Sequence, residues 1–354
     1  MNVRAVLIAC LLATPVAAQT LEDQTGRQVQ IPDHVQRVVT LPIPLASMLM
    51  AIDGGPQRLA GMHPGSRADF DYGLLGHIYP QARQTPDDMV GEGFVPNVEA
   101  LASGEADLVV QWGDRSESIV KPISALGIPV ITVRYGDSML AAGWLLLLGS
   151  ALGKAERGDA LANWFEQRMA QIARRGAAIP LAERPRALYL YRAQAGLQVS
   201  GKGSSMDGDI VRAGGVNVAA DVPGFATVNA EQLLAWDPEV ILLNNFEPEL
   251  NPDVIYQDPR LASLSAVRNK RVYQYPHGGF RWDPPSQETP LAVDWLFSVL
   301  HPAKAEPGLR QRVRDTYQRL YQYSLSDEEL DQLLKLKTNG ASADYLRLFS
   351  EGGA

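Results

Sequence analysis

The sequence predicts an α/β fold in which two Rossmann-like lobes are joined by one long rigid helix, with a ligand cleft between the lobes. Short apolar runs alternate with amphipathic stretches along the chain, and this alternation occurs twice. A long helical stretch separates the two series and is stopped by Gly176 and Pro180. Uniformly apolar runs such as 108–110 are typical of parallel strands covered on both faces.

Residues 1–18 are predicted to be an export signal. Arg4 precedes an apolar run over 5–12 that is too short to span a bilayer, and the small residue Ala18 stands before the expected cleavage point. The alternative is lipid attachment at Cys10, which would require an unusually short leader. We favour cleavage after Ala18 and expect a periplasmic protein.

The composition limits the possible partners. Cys10 is the single cysteine, so no disulfide is expected. The formal net charge is −8, whereas nucleic-acid binding requires a basic face. We therefore expect no nucleic-acid partner, and we expect a monomer held together by its apolar cores.

The first lobe is predicted over 19–137. Four apolar runs are predicted to be strands because each is short and bounded by turn residues. Asn97 is predicted to cap a short helix. The predicted strands lie at 37–41, 58–62, 107–111 and 128–133, and the predicted helices at 45–52 and 97–102.

The remaining chain is divided into three parts. The interdomain helix is predicted over 138–177, and a second alternating series predicts the second lobe over 178–302. The tail over 303–354 is predicted to be helical, and Ser326 with Glu329 forms a capping box at the start of one of its helices.

Loops that follow parallel strands are expected to line the cleft, because α/β sheets usually bind ligands at the carboxyl ends of their strands. Arginine offers a fixed fork for oxyanions, and aromatic rings offer flat apolar walls. Four residues have competing structural interpretations: Trp282 in the core, Arg281 paired with Asp283, Arg192 in a surface ion pair, and His63 as a hydrogen-bonded structural residue. The candidate ligand-binding residues are His63, Trp112, Arg115, Tyr135, Arg192, Phe225, His277, Arg281 and Trp282.

Enzyme signatures are absent from the sequence. It contains no glycine-rich phosphate loop, no Gly-x-Ser-x-Gly motif and no zinc-ligand spacing. His63 and His277 are the only candidates for a side chain that contacts a metal. This pattern favours a binding protein whose metal arrives inside an organic or oxyanion shell. An exported metalloenzyme or redox protein is the alternative from another class.

The order of several short segments resembles the periplasmic solute-binding proteins of ABC importers, in the branch with a single interdomain helix. The segments that carry the resemblance lie in order over about 30–300. They are 37–41, 90–91 with 96–99, 106–110, 126–130, 184–189, 213–217, 237–241, 264–266 and 270–273.

The resemblance implies delivery of a small-molecule metal complex to an ABC permease and its ATPase, with no intrinsic cofactor. A chelated metal in a ferric siderophore-like complex is our main expectation; haem, cobalamin and a molybdate-type oxyanion are the alternatives. Members of this branch often dock on the permease through a glutamate at the start of the first helix. Ser47 stands near that position here, and Glu288 is the candidate for the equivalent contact on the second lobe.

Overall fold

The computed structural model describes residues 18–194, 196–247 and 249–351, and it confirms the predicted two-lobed α/β fold. The predicted export signal, including Cys10, lies outside the described residues except for Ala18. A short antiparallel hairpin of β1 (Ala18–Glu22) and β2 (Gln28–Pro32) precedes the first lobe. None of the helices in the described part of the chain is long and apolar enough to cross a membrane.

The first lobe contains a parallel four-stranded sheet in the order β4-β3-β5-β6. Its strands are buried throughout except for Ala60, as expected for a sheet covered on both faces. The strands are β3 (Val38–Thr40), β4 (Leu59–Met62), β5 (Leu108–Trp112) and β6 (Val130–Val133). The helices are α1 (Leu45–Asp53), α2 (Pro64–Tyr72), α3 (Leu75–Ile78), α4 (Val98–Ser103) and α5 (Lys121–Ala125), with 3-10 turns at Pro80–Gln84, Glu92–Phe94 and Glu117–Ile119.

The second lobe is built on a mixed sheet in which β7, β11 and β12 are parallel and β8 and β10 extend it antiparallel at one side. The strands are β7 (Arg186–Arg192), β8 (Leu197–Ser200), β9 (Val216–Asn217), β10 (Phe225–Val228), β11 (Val240–Leu243) and β12 (Val272–Gln274). The helices are α8 (Ser205–Arg212), α9 (Ala230–Trp236), α10 (Pro252–Tyr256), α11 (Ser265–Arg268) and α12 (Thr289–Leu300), and a 3-10 turn at Leu181–Glu183 precedes the sheet.

The prediction of one continuous helix over 138–177 is wrong. The segment forms two packed helices, α6 (Leu140–Ala151) and α7 (Ala155–Ala177). Gly153 adopts a left-handed backbone conformation with φ of 64°, which turns the chain between the helices. Gly149 and Gly158 then allow close packing, because a Cβ atom on Gly149 would lie only 2.7 Å from Cα of Gly158. The element that runs on to the second lobe is therefore α7 alone.

The C-terminal tail contacts both lobes. It comprises α13 (Leu309–Tyr321), α14 (Asp327–Leu333), α15 (Leu336–Asn339) and α16 (Tyr345–Phe349). Helix α13 packs against α1 of the first lobe and α12 of the second. The hydroxyl of Tyr79 in the first lobe also donates to the carbonyl of Tyr321 at 3.2 Å. The predicted capping box of Ser326 and Glu329 is confirmed at the start of α14.

A buried carboxylate ties the interdomain helix to the second lobe and the tail. Asp294 of α12 is completely buried and contacts three arginines: Arg168 at 3.3 Å, Arg175 at 3.0 Å and Arg312 at 2.7 Å. Two of these arginines belong to α7 and the third to α13. One acidic group therefore balances three cations from two other elements.

We expect the Asp294→Asn variant to lower the free energy of unfolding by about 2–4 kcal/mol, because three partly buried guanidinium groups lose their shared counter-charge. Urea unfolding followed by circular dichroism measures the change. Asp159→Asn on the exposed face of α7 is the matched control and should change stability by less than about 0.5 kcal/mol. Equal stabilities of the two variants would contradict the assigned role of Asp294.

Candidate functional site

The carboxyl ends of the parallel strands from the two lobes face one boundary. His63 follows β4, Trp112 ends β5 and Tyr135 follows β6, while Arg192 ends β7 and the 277–283 segment follows β12. The lobes touch along this boundary, where the backbone N–H of Leu74 donates to the carbonyl of Gly278 at 3.1 Å. The sequence-predicted residues are thus brought to the two sides of a single interlobe site.

The first-lobe side of the site is a row of aromatic rings. The ring of Phe94 lies 5.0 Å from that of His63 and 6.2 Å from that of Trp112, and Trp112 packs edge-on against Tyr135 at 5.5 Å. The guanidinium of Arg115 lies 4.5 Å from the centre of the Phe94 ring. This arrangement holds a cation on an apolar wall while its N–H groups stay available.

Phe94 was not among the sequence-predicted site residues. It adopts φ of 64°, a conformation that is costly for an aromatic residue. Its carbonyl accepts a hydrogen bond from Nε2 of Gln111 at 3.1 Å, which helps to hold this turn. The adjacent Gly93, which adopts φ of 67°, is a local signal in the sequence that a special turn occurs here.

The second-lobe side combines three aromatic rings with two arginines. The ring of Tyr191 lies 4.6 Å from that of Phe225 and 5.5 Å from that of Phe246. The guanidinium groups of Arg192 and Arg281 both lie over Phe246, at 5.2 and 4.8 Å from the ring centre. Phe246, which the sequence analysis missed, brings the predicted residues Arg192 and Arg281 together, and Phe225 joins them through Tyr191.

A charged group from the first lobe meets Arg281. The Nε atom of Arg281 lies 3.3 Å from Oδ1 of Asp69 in α2, and Nε2 of His277 lies 3.9 Å from the same oxygen. All three side chains are largely buried. Three buried polar atoms here lack a hydrogen-bond partner within the described residues: Nε of Arg281, Oδ2 of Asp69 and Nε2 of His277. Such atoms are rare in folded proteins and mark a place where a ligand can complete the network.

A second carboxylate lies near the same arginine. Asp283 is buried, and its Oδ2 accepts a hydrogen bond from the hydroxyl of Tyr189 at 2.8 Å. Burial alone would lower the pKa of Arg281, but the charges of Asp69 and Asp283 outweigh that effect and raise it. Arg281 therefore stays charged inside the protein.

Burial also governs the neighbouring titratable groups. It raises the pKa of Asp69 to about 7, although the charge of Arg281 opposes the rise. Burial lowers the pKa of His277 to about 3 and that of His63 to about 4, and the charge of Arg281 adds to both effects. Both imidazoles are neutral near pH 7 as a result.

Tyr135 contacts the opposite lobe. Burial raises the pKa of its phenol, and a hydrogen bond with Ser205 of α8 opposes that rise. Its backbone N–H donates to Oδ2 of Asp114 at 2.7 Å, which orients the residue after β6. The predicted Tyr135 thus lies at the boundary between the lobes.

A cavity of about 450 Å³ adjoins the Asp69–Arg281 pair. It lies between α2, the loop after β11 and the tail, and Asp69, Phe246, His277 and Lys335 are among its lining residues. Asp69 and His277 therefore border open space on this side, whereas Arg281 is not among the lining residues.

Three predicted ligand-binding residues make structural contacts within the protein. Trp112 and Trp282 are each 2% exposed, so neither presents a usable face to a ligand. The indole N–H of Trp282 donates to Glu288 at 2.8 Å. Nδ1 of His63 caps α2 by accepting from the N–H of Gly65 at 2.8 Å. Trp282 lies in the core and His63 makes a structural hydrogen bond, as the competing interpretations given above predict.

The assignment of Glu288 to permease docking is wrong, because its carboxylate is completely buried. It accepts hydrogen bonds from Trp282, from Tyr317 at 3.1 Å and from Tyr321 at 2.5 Å. Burial raises the pKa of Glu288, and these hydrogen bonds oppose the rise. A group enclosed in this way cannot reach another protein.

Ser47 is buried as well, so the start of α1 does not offer a docking surface. Its hydroxyl lies 3.3 Å from Oε1 of Gln287 in the second lobe.

Neither predicted metal-contacting histidine belongs to a metal-binding cluster in the described residues. No group of three or more His, Cys, Asp or Glu side chains within 18–351 is arranged to hold a metal ion. His63 is a helix cap and His277 faces Asp69, so we assign neither of them to a metal.

Comparison with known proteins identifies relatives over most of the chain. The family model described as periplasmic binding protein matches residues 89–277. The crystal structure of a periplasmic solute binding protein from Veillonella parvula superposes with a TM-score of 0.83 at 30% identity, covering 92% of this chain and 99% of that one.

Two curated relatives differ in the ligand for which they are named. The molybdate-binding protein MolA of Haemophilus influenzae is 26% identical over 92% of this chain and 98% of its own length. The Fe(3+) dicitrate-binding periplasmic protein FecB of Escherichia coli is 24% identical over 74% of this chain and 83% of its own length. These relatives are binding proteins rather than enzymes, as predicted for this chain. The family model over 89–277 and the 30% identical structure show that the chain belongs to the periplasmic binding protein family.

Proposed function

We propose that this protein is the periplasmic receptor of an ABC importer and that it carries a small oxyanion of the molybdate type. The observation that carries the proposal is Arg281, a largely buried cation whose Nε has no hydrogen-bond partner within the described residues. A preorganised, desolvated guanidinium binds an oxyanion more strongly than an exposed one does.

Two further cations support an anionic ligand. Arg115 and Arg192 lie over aromatic rings of opposite lobes, and within the described residues neither forms a salt bridge. Cation–π contacts position a guanidinium without occupying its N–H donors. The site can therefore present guanidinium N–H donors from both lobes to one ligand.

The close contact of the lobes favours a small ligand. Asp69 and Arg281 meet across the boundary at 3.3 Å, and the cavity beside them measures about 450 Å³. The tail packs on both lobes and opposes a wide opening. The similarity to the molybdate-binding relative over 92% of this chain agrees with this size limit.

A compact ferric complex is the second candidate, because the outer part of the site offers more apolar surface than an oxyanion needs. Phe225 is 47% exposed and packs on Tyr191 beside Arg192. A flat organic shell around iron would use such a surface. This candidate is the ferric chelate that the resemblance to single-helix binding proteins implies.

Delivery to a permease and its ATPase follows from the family, and the predicted signal over 1–18 supports a periplasmic location. The docking surfaces must consist of residues other than Ser47 and Glu288, since both are buried.

We expect Arg281→Ala and Arg192→Ala each to weaken molybdate binding by roughly 1.5–3 kcal/mol, about ten- to a hundredfold, through the loss of charge-assisted hydrogen bonds. Isothermal titration calorimetry measures the change. Arg260→Ala is the control, because Arg260 is exposed and pairs only with Asp258 among the described residues. Unchanged affinity in both site variants would remove these arginines from the site.

The two ligand candidates are distinguished by titrating the unmodified protein with molybdate and with ferric citrate. We expect one molybdate per protein, because the charged centre contains a single buried arginine with free donor capacity. Saturable binding of ferric citrate together with no heat from molybdate would reverse the order of the candidates. Native mass spectrometry provides the stoichiometry.

A further inference from the structure

The ion pair between Asp69 and Arg281 lies at the proposed ligand site. In the present structure the carboxylate of Asp69 lies where an anionic ligand of Arg281 would bind, at 3.3 Å from Nε. An internal carboxylate and an external oxyanion cannot share the same donors without strong repulsion. The ligand must therefore compete with a group that the protein itself supplies.

We propose that Asp69 is a displaceable counter-anion of Arg281, which takes up one proton and leaves the guanidinium when the oxyanion binds. This inference rests on the proposed function. It makes Asp69 a residue that determines affinity without being a donor to the ligand.

The unpartnered atoms at this point support the exchange. Oδ2 of Asp69 and Nε2 of His277 are both buried and unpartnered within the described residues. The ring of His277 lies 3.9 Å from Oδ1, and a protonated carboxyl group can donate to a neutral imidazole nitrogen. Once protonated and released, Asp69 would pair with His277. The ligand would then accept the hydrogen bond from Nε of Arg281.

The charges around Arg281 are a further reason for Asp69 to take up a proton when the oxyanion binds. In the present structure Arg281 faces two carboxylates, Asp69 and Asp283. A divalent oxyanion beside both carboxylates would place four negative charges against one buried cation. Neutralising Asp69 removes one negative charge from the position closest to the ligand. The other carboxylate, Asp283, keeps its hydrogen bond from Tyr189.

The cavity next to Asp69 supplies space for the exchange. Asp69 lines this cavity of about 450 Å³ together with Lys335 of the tail and with Glu247 and Glu249 of the loop after β11. Arg281, Asp283 and His277 also face Asp69 from the second lobe, and His63 lies at the start of its own helix. The carboxyl group can turn towards the cavity without disturbing a packed core.

The pH dependence follows from the state of Asp69. Burial raises its pKa to about 7, so the carboxyl group of the ligand-free protein is mostly protonated below pH 7 and mostly charged above it. Below pH 7 Asp69 is already neutral and does not compete for Arg281, so the affinity for molybdate is highest there. Above it each binding event must take up a proton, and affinity falls as pH rises. His63 and His277, with pKa values of about 4 and 3, do not titrate in this range.

The test is calorimetric titration of the full chain with molybdate at about pH 6 and about pH 8. With a pKa of about 7, roughly one Asp69 in ten is protonated at the higher pH, so the wild type should bind about tenfold more weakly there. Asp69→Asn should bind with nearly equal affinity at both pH values and about tenfold more tightly than the wild type at the higher one. Asp71→Asn is the control on the same helix, because Asp71 is exposed and pairs with Arg83 at 3.7 Å.

A second measurement needs no variant. Titration of the wild type near pH 8 in two buffers of different ionisation enthalpy reports the protons exchanged, and we expect uptake of about one proton per molybdate. Equal affinities and pH profiles for wild type and Asp69→Asn, or no proton uptake, would overturn this inference and leave the proposed function intact. An absence of molybdate binding in wild type and Asp69→Asn would overturn the proposed function and this inference with it.

Discussion

The buried carboxylate of Glu288 holds the segment that carries Arg281, and the rest of the site depends on this interaction. The carboxylate lies so close beneath the segment that a Cβ atom on Gly278 or Gly279 would collide with it, at 2.2 and 2.7 Å respectively. Trp282 and two tyrosines of α13 donate to the same group. Two glycines are therefore required at 278–279, and Arg281 is fixed relative to both the tail and the first lobe.

Aromatic rings position the cations on both sides of the site, and Arg281 has in addition the ion pair with Asp69. Arg115 and Arg192 lie over rings. Asp294 joins α7, α12 and α13 through three arginines at a point away from the site. From this arrangement we expect ligand selection to depend on the fixed positions of the donors more than on hinge closure.

Much of the fold was predictable because its signals are local. Apolar runs such as 108–110 identify buried strands, and the spacing of Ser326 and Glu329 identifies a helix start. The break at Gly153 was missed, because the helical periodicity continues on both sides of a glycine whose conformation depends on packing. Arginines at strand ends were also predictable. Asp69, Phe94 and Phe246 were not, because only the contact of distant segments brings them to the site, and the burial of Glu288 likewise follows from packing by the tail.

The position of α13 has a consequence for how the chain reaches its native state. Helix α1, which is buried from Leu45 to Ile52, is covered in part by a helix about 260 residues later in the chain. The first lobe is synthesised early, and we expect this part of its apolar surface to stay uncovered until α13 has been made. The packing of the first lobe is therefore completed by a helix that follows the whole second lobe in the sequence.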